Sequence, residues 1–287
     1  MTTTKTLHII RHGESEQNKL MHDIAVKAGF DGMTDGMKNM NDSMRAKLFE
    51  CTFCDKEIDY KLTPKGREQA KFLQTDAALR EKITLVVSSS QERALRTAAL
   101  GLGDLVGPQK QCRAVVLDNA REFITADPGE RRTAVSKRLL DPALKAWDFS
   151  NCTNDDELWE GMKRTDSFEF RRNDFSKPPW ECPSLAEAVG RRGEELLEYI
   201  FQQPDEHVAL VTHWGFAFMG IIVKGFNVRE SGEEFLPKDF GNGDRITLEI
   251  TKPAAPAAYK MRFVEQRRCR NQAAISSEGN RIGRGRL

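Results

Sequence analysis

No stretch of the sequence approaches the ~18 consecutive apolar residues that a helix needs to cross a bilayer, which argues against a membrane-spanning chain. The N-terminus, MTTTKTLHIIRHG, sets Lys5 and Arg11 around only a short apolar stretch, so no signal peptide is expected. Cysteine is sparse: Cys51, Cys54, Cys112, Cys152, Cys182 and Cys269 in 287 residues give no dense disulfide framework. They read as thiols of a reducing cytosol, and a cytoplasmic location is expected. An excess of either charge is also missing, because 44 Lys and Arg meet 43 Asp and Glu for a net +1. Without a bulk positive field, neither nucleic acid nor a membrane is an expected partner, and any anion must be bound locally. No internal repeat is present. With 39% hydrophobic and 30% charged residues, the chain is neither a disordered tail nor a collagen. Its length suits one elaborated α/β domain or two average ones.

Short β-rich runs do occur, at residues 6–10 (TLHII), 85–89 (LVVSS), 113–117 (RAVVL) and 207–212 (HVALVT). Helical stretches separate them. Thr63 and Pro64 form an N-cap and first-turn pair, with Gly66, Ala70, Leu73 and Ala77 then repeating at helical spacing. Ser90 is expected to open a second helix with a stripe of Ala94, Ala98 and Leu102. Ser184 is expected to cap a third, in which Ala188, Leu196 and Leu197 face the core. Strands alternating with helices predict a three-layer α/β/α sandwich around a mainly parallel sheet. Residues 245–250 (RITLEI) and 259–264 (YKMRFV) alternate by two around a Pro/Ala-rich turn, as a hairpin finishing one sheet edge would.

Two segments break the alternation, residues 19–58 and 123–183, and both are expected as cap insertions over one end of the sheet. From Gln266 to Leu287, six arginines face one glutamate, which reads as a disordered basic tail following a domain of residues 1–265. Nuclear targeting or an acidic partner is the alternative use of that tail.

Four polar groups fall directly after four of the strands: Arg11-His12-Gly13, Ser89 through Arg93, Arg121-Glu122 and His213-Trp214-Gly215. The carboxyl ends of strands in an open α/β sheet surround the ligand crevice, so these groups can converge. Two histidines, two arginines and a carboxylate then share a pocket. Those residue types suit phosphoryl transfer through a phosphohistidine, since a neutral imidazole is nucleophilic near pH 7. Arg11 and Arg93 supply a clamp for the equatorial oxygens without a metal ion. Arg93 also lies in a first helical turn, where free N–H groups favour an anion. Gly13 lets the backbone turn, and Glu122 is the carboxylic acid that can protonate a departing alkoxide.

LHIIRHGESEQN, LTPKGREQA, SSSQERALRTA, NAREF and VALVTHWGF, in this order, resemble the histidine phosphatase superfamily, also called the phosphoglycerate mutase-like family. The resemblance implies His12 as the nucleophile, with Arg11, Arg93 and His213 as the phosphate pocket. It further implies Glu122 as proton donor and Asn18 as a pocket-lining residue, and with the arginine clamp in place no metal or cofactor is expected. ITADPGERRTAVSKRL with DFSNCTNDDELW resembles a phosphatase-like eukaryotic branch, in which the insertion after the acid forms a cap. On that resemblance Arg131 and Arg132 are candidates for contacting a charged substrate.

Departures from the family pattern also inform. Where the glycolytic mutases have tryptophan before the asparagine, this chain has Gln17, and Glu122 is followed by Phe-Ile-Thr. Both favour a phosphatase acting on a small phosphorylated metabolite, with a mutase as runner-up and a non-catalytic phospho-ligand-binding regulator behind it. Trp214 stands where glycine is common, so its ring is expected to narrow the pocket mouth. Arg96 reads as an ion-pairing residue; His8, His22 and His207 as ordinary histidines; Cys51 and Cys54 as free thiols; and Met33, Met37, Met40 and Met44 as a packed face.

Overall fold

The computed structural model describes residues 2–30, 58–125, 127–165, 169, 183–222, 240–253 and 259–269. The β-rich runs form β1 (Thr3–Arg11), β2 (Leu85–Ser89), β3 (Arg113–Leu117) and β5 (His207–Thr212), with a short β4 (Trp147–Asp148) between the last two. The expected hairpin is β6 (Arg245–Lys252) and β7 (Lys260–Arg267). Together they make a seven-stranded sheet in the order β4-β3-β2-β5-β1-β6-β7. Strands β4 to β1 run parallel, and β6 and β7 close one edge antiparallel.

Alternation along these strands sorts the core into two layers, because successive side chains point to opposite faces of a sheet. Leu7, Ile9, Leu85, Val87, Val208 and Leu210 join one cluster. Ile10, Val86, Ala209 and Val211 join the other. Near-continuous apolar strands are therefore a consequence of burial on both faces, as a parallel sheet requires.

Helices α1 (Glu16–Lys27), α2 (Pro64–Phe72), α3 (Glu92–Leu102), α4 (Glu157–Thr165) and α5 (Pro183–Gln202) are the longer helical elements among the described residues. On one face α5 buries Leu185, Val189, Leu196, Leu197 and Ile200. On the other, α3 buries Ala94, Leu95, Ala98 and Leu102, beside Leu73 and Leu79. The three-layer α/β/α sandwich expected from the sequence is the observed fold. No helix among the described residues is long and apolar enough to cross a membrane.

Several local expectations change. Thr63 does cap α2, accepting from the Gly66 N–H at 3.0 Å, but Ala77 is exposed and begins a separate short helix after the chain breaks at Asp76. Gln91, not Ser90, is the N-cap of α3, because the Ser90 hydroxyl donates to Asp118 at 2.5 Å. Helix α5 begins at Pro183, ahead of Ser184. The basic tail does not begin at 266: β7 continues to Arg267, and the Cys269 N–H donates to Asp244 Oδ1 at 2.7 Å. Residues 19–27 of the first insertion extend α1, while 31–57 lie outside the described residues, along with the methionine series, Cys51 and Cys54.

Helix α5 reaches the layer beneath it through two glycines. A Cβ on Gly193 would lie 1.8 Å from the Gly220 carbonyl oxygen, a backbone atom with no room to yield. Gly193→Ala is expected to destabilise the fold by about 1–3 kcal/mol, as overpacking does. Gly103→Ala, where φ is −62° and nothing lies within 4 Å, is the control expected to be neutral or slightly stabilising. Urea denaturation midpoints of the two variants check this.

Candidate active site

The parallel register of β1 on β5 sets Arg11 opposite Thr212, so the next residues, His12 and His213, leave the sheet side by side. The His12 N–H still donates to the Thr212 carbonyl at 3.0 Å, and the ring centroids are 5.0 Å apart. Both imidazoles are buried. His12 Nδ1 lies 2.7 Å from the Gly13 carbonyl oxygen, which only accepts. Nδ1 therefore carries the proton, and Nε2 is left with the lone pair. Burial, reinforced by Arg93 and Arg11, holds the His12 pKa well below the usual histidine range, so the ring is neutral at pH 7. His213 is lowered in the same way by burial, Arg93 and His12.

Glycine at 13 has a different cause from a turn. Its φ is not positive, but a Cβ there would lie 2.2 Å from the Gly66 carbonyl oxygen of α2. A Cβ on Gly66 would in turn meet the Glu14 carbonyl oxygen at 2.0 Å. Two bare backbones thus pass at close range and fix the loop after β1. Thr97 of α3 adds to this, donating its hydroxyl to the Arg93 carbonyl at 2.7 Å while accepting from the Gly13 N–H at 3.0 Å.

Arg93, in the first turn of α3, is fully buried, and burial works against its charge. Glu130 and Glu122 more than offset that and raise its pKa. Arg11 Nη1 donates to the Phe240 carbonyl at 2.7 Å. Burial, opposed by Glu122 and Asp244, draws its pKa down to about 10, so it stays protonated at neutral pH. Three buried nitrogens of these residues have no hydrogen-bond partner in the structure: Arg11 Nε, Arg93 Nη1 and His213 Nδ1. His213 Nε2, by contrast, is held at 2.9 Å by the Ser89 hydroxyl at the end of β2. With Nε2 accepting from the Ser89 hydroxyl, His213 Nδ1 carries the proton; buried donors without acceptors are rare, and a cluster of them beside a lone-pair nitrogen is the mould of an anion.

Glu122 stands on the loop after β3. Its carboxylate accepts from the Phe216 N–H at 2.8 Å, from the Phe123 N–H at 3.2 Å and from the Gly215 N–H at 3.2 Å. Oε1 takes two of these and Oε2 one, so Oε2 keeps lone-pair capacity for a proton. Burial and then Glu130 raise its pKa above the ordinary carboxylate value, against Arg93 and the backbone donors. Gly215 is required here, because a Cβ would lie 2.6 Å from Glu122 Oε1 and 2.0 Å from the Phe123 ring. The loop itself is gripped from α5 by Arg192, which donates to the carbonyls of Asn119, Arg121 and Glu122 at 3.2, 2.9 and 3.1 Å.

Asp118, the other carboxylate after β3, is committed elsewhere. It accepts from Ser90 at 2.5 Å and from Arg132 at 2.8 and 3.2 Å. Arg132 is consequently a buried framework residue and not a substrate contact, since its guanidinium also donates to the Thr153, Asn154 and Asp155 carbonyls. Arg131 is partly exposed, but it pairs with Glu160 of α4 at 3.0 Å and lies 5.7 Å from the centroid of the Trp159 ring. Asn18 serves the cap of α1, with Oδ1 accepting from the Ser15 N–H at 3.3 Å and from Asn242 at 3.1 Å. Asn242 also donates to the His12 carbonyl at 3.0 Å, which ties Asn18 to the nucleophile loop. Trp214 stacks on Phe218 with centroids 5.6 Å apart, so one face of its ring belongs to the core instead of a pocket mouth. Arg96 pairs with Glu92 and Asp141 as read, and His8 is a buried strand residue bonded to Thr247 at 3.0 Å.

Sequence reading missed the acidic and amide residues of the site. Glu130 binds Arg93, and Gln91 joins Glu130 to the Glu122 backbone. Gln17, noted only as a departure, donates to Asp127 Oδ2 at 3.3 Å. Burial and Glu130 push the Asp127 carboxyl up to about 7. An acid beside two arginines in the Pro-Gly turn was the available signal.

Residues 50–123 match a sequence model of the histidine phosphatase superfamily (branch 1), a stretch that holds Arg93 and Glu122. The chain is 24% identical to phosphoglycerate mutase-like protein 1 of Arabidopsis thaliana over 242 residues, 75% of this chain and 70% of that protein. Among solved structures it is similar to a mycobacterial hydrolase, at 14% identity and a TM-score of 0.49 over 100% of both chains. It is also similar to mycobacterial glucosyl-3-phosphoglycerate phosphatase, at 17% identity and a TM-score of 0.45 over 91% of this chain and 98% of the other.

Arg131 and Arg132, adjacent in sequence, are expected to behave differently. Arg132→Met leaves Asp118 without its partner and should cost about 3–5 kcal/mol, whereas Arg131→Ala should stay within about 0.5 kcal/mol. Chemical denaturation of both variants measures the contrast.

Proposed function

We propose that the chain is a member of the histidine phosphatase superfamily, which it resembles, and a phosphatase acting on a small phosphorylated metabolite through a phosphohistidine at His12. The observation that carries this is the set of unpartnered nitrogens, Arg11 Nε, Arg93 Nη1 and His213 Nδ1, around the neutral His12 ring. His12 Nε2 attacks phosphorus as the ester P–O bond breaks, and the three donors receive the charge on the equatorial oxygens. Glu122, whose pKa burial and Glu130 raise, gives a proton to the departing alkoxide. The resulting carboxylate then takes a proton from water as water attacks the phosphohistidine, which frees phosphate and restores His12. The arginine clamp supplies positive charge of the kind a divalent ion provides elsewhere, so turnover is expected to survive EDTA.

Hydrolysis over mutase action is favoured by Gln17, whose amide links α1 to the cap turn through Asp127 in place of the mutases' tryptophan. A panel of phosphate esters tests the reading: free phosphate should accumulate with the wild-type chain and be absent with His12→Ala. The wild type should also carry an acid-labile, base-stable phosphoryl adduct that His12→Ala lacks. Faster isomerisation of 3-phosphoglycerate primed with 2,3-bisphosphoglycerate than hydrolysis of any ester would give the mutase reading instead.

Proton donation matters most for a poor leaving group and contributes ~100- to 10,000-fold. Glu122→Gln is therefore expected to slow an alkyl phosphate far more than p-nitrophenyl phosphate. Asp118→Asn, altering a framework carboxylate, should affect both substrates alike. Parallel kcat/KM measurements on the two esters separate these outcomes.

A further inference from the structure

Glu130 ends the short Pro128–Glu130 turn of the cap segment and is buried at 5% exposure. Its two carboxylate oxygens accept from Arg93 Nη2 at 3.2 and 3.0 Å, and Oε2 also accepts from Gln91 Nε2 at 2.5 Å. Gln91 Oε1 in turn accepts from the Glu122 N–H at 3.1 Å and from Arg93 Nη2 at 3.4 Å. A guanidinium is planar, so pinning Nη2 fixes the direction of Nη1, the nitrogen left for the anion. The turn is itself rigid. Asp127 Oδ1 accepts from the Gly129 N–H at 2.8 Å, and a Cβ on Gly129 would lie 1.8 Å from the Tyr60 ring.

We propose that Glu130 is a positioning residue for phosphoryl transfer, coupling the phosphate clamp to the proton donor through Arg93 and Gln91. This rests on the phosphatase reading. Two jobs follow, one of reach and one of charge. The reach of the side chain orients Arg93 by occupying Nη2. The charge faces Glu122 and favours its protonated form. The other groups facing Glu122 are Arg11 from β1, Arg93 from α3 and Arg192 from α5, with His12 and His213 neutral and the backbone N–H groups of Phe123, Gly215 and Phe216 donating. Arg11 and Arg93 favour the carboxylate, so Glu130 is the charge that opposes them. It also keeps one more negative charge beside the phosphate site, which speeds release of the product anion.

Two substitutions divide the jobs. Glu130→Gln keeps the size and removes the charge, whereas Glu130→Asp keeps the charge and shortens the reach by one methylene. With glycerol 3-phosphate, the basic limb of kcat/KM for Glu130→Gln should move down by about one pH unit, a tenfold loss on that limb. Its turnover of p-nitrophenyl phosphate, which needs no proton, should keep the wild-type profile, and inorganic phosphate should inhibit it at least as tightly as the wild type. Glu130→Asp should keep the limb in place but lose about tenfold in kcat/KM on both esters as Arg93 is released.

A merely structural counter-ion predicts something else: equal losses on both esters in Glu130→Gln, weaker phosphate inhibition and an unmoved limb. That pattern, or a wild-type profile in both variants, overturns the proposal while leaving the phosphatase reading intact. If Glu130→Gln does not fold by circular dichroism, Glu130→Asp alone decides, and wild-type kcat/KM on both esters overturns it. A wild-type chain that releases no phosphate from either ester overturns the phosphatase reading, and the proposal with it.

Discussion

Guanidinium groups buried together repel one another, and a site built to receive an anion concentrates them before the anion arrives. Around the carboxyl end of this sheet, Arg93, Arg121, Arg132 and Arg192 are all buried. Each is matched by a carboxylate: Glu130, Asp156, Asp118 and Glu169 respectively. Removing such charges from water is costly, and the arrangement is tenable because each pair has further hydrogen bonds, to the Gln91 amide for Arg93 and Glu130 and to fixed backbone for the other three. Most of the surrounding loops exist in their observed form to provide those bonds. Arg121 Nε is also left without a partner, but the open donors of Arg11 and Arg93 belong to the charges beside the His12 ring, and that placement is what distinguishes the site from the framework around it.

The same constraint explains which residues were legible in the sequence. His12 and His213 directly follow a strand, and Arg93 and Glu122 come within five residues of one, so strand periodicity and local motifs locate them with little knowledge of the tertiary fold. Ser89, Gln91, Glu130 and Arg192 are defined by what they touch across the fold. Glu130 meets Arg93 from the segment that follows β3, and Arg192 grips the Glu122 loop from the buried stripe of α5, in helical register with Val189 and Leu196. Helical spacing turns position 192 inward, but nothing local shows the carbonyls that its guanidinium meets. The two arginines at 131 and 132 illustrate the limit: their sequence context is shared, and only packing makes one a framework residue and the other a partner of α4.

Caps and ends were the other places where local reading fell short. Ser90 has the chemistry of an N-cap, but Asp118 from the neighbouring strand end takes its hydroxyl, and α3 starts one residue later without a side-chain cap. Composition after Gln266 looks disordered, yet pairing with β6 holds residues to Arg267 in the sheet. In both cases a long-range partner outweighed a local preference, as tertiary context commonly does.

The pairing of β1 with β5 has a consequence for how the molecule comes to exist. Thr6 through Arg11 align with His207 through Thr212, strands about 200 residues apart in the chain. Loop closure of that length is entropically costly and comes late in folding, and because β5 lies between β1 and β2, His12 and Arg93 are joined through one sheet only when β5 is in place. An anion that needs the whole cradle therefore binds only the completed fold, and by mass action it stabilises that state over every partly assembled one. During synthesis, the chain has no phosphate site to offer until its last parallel strand has been made.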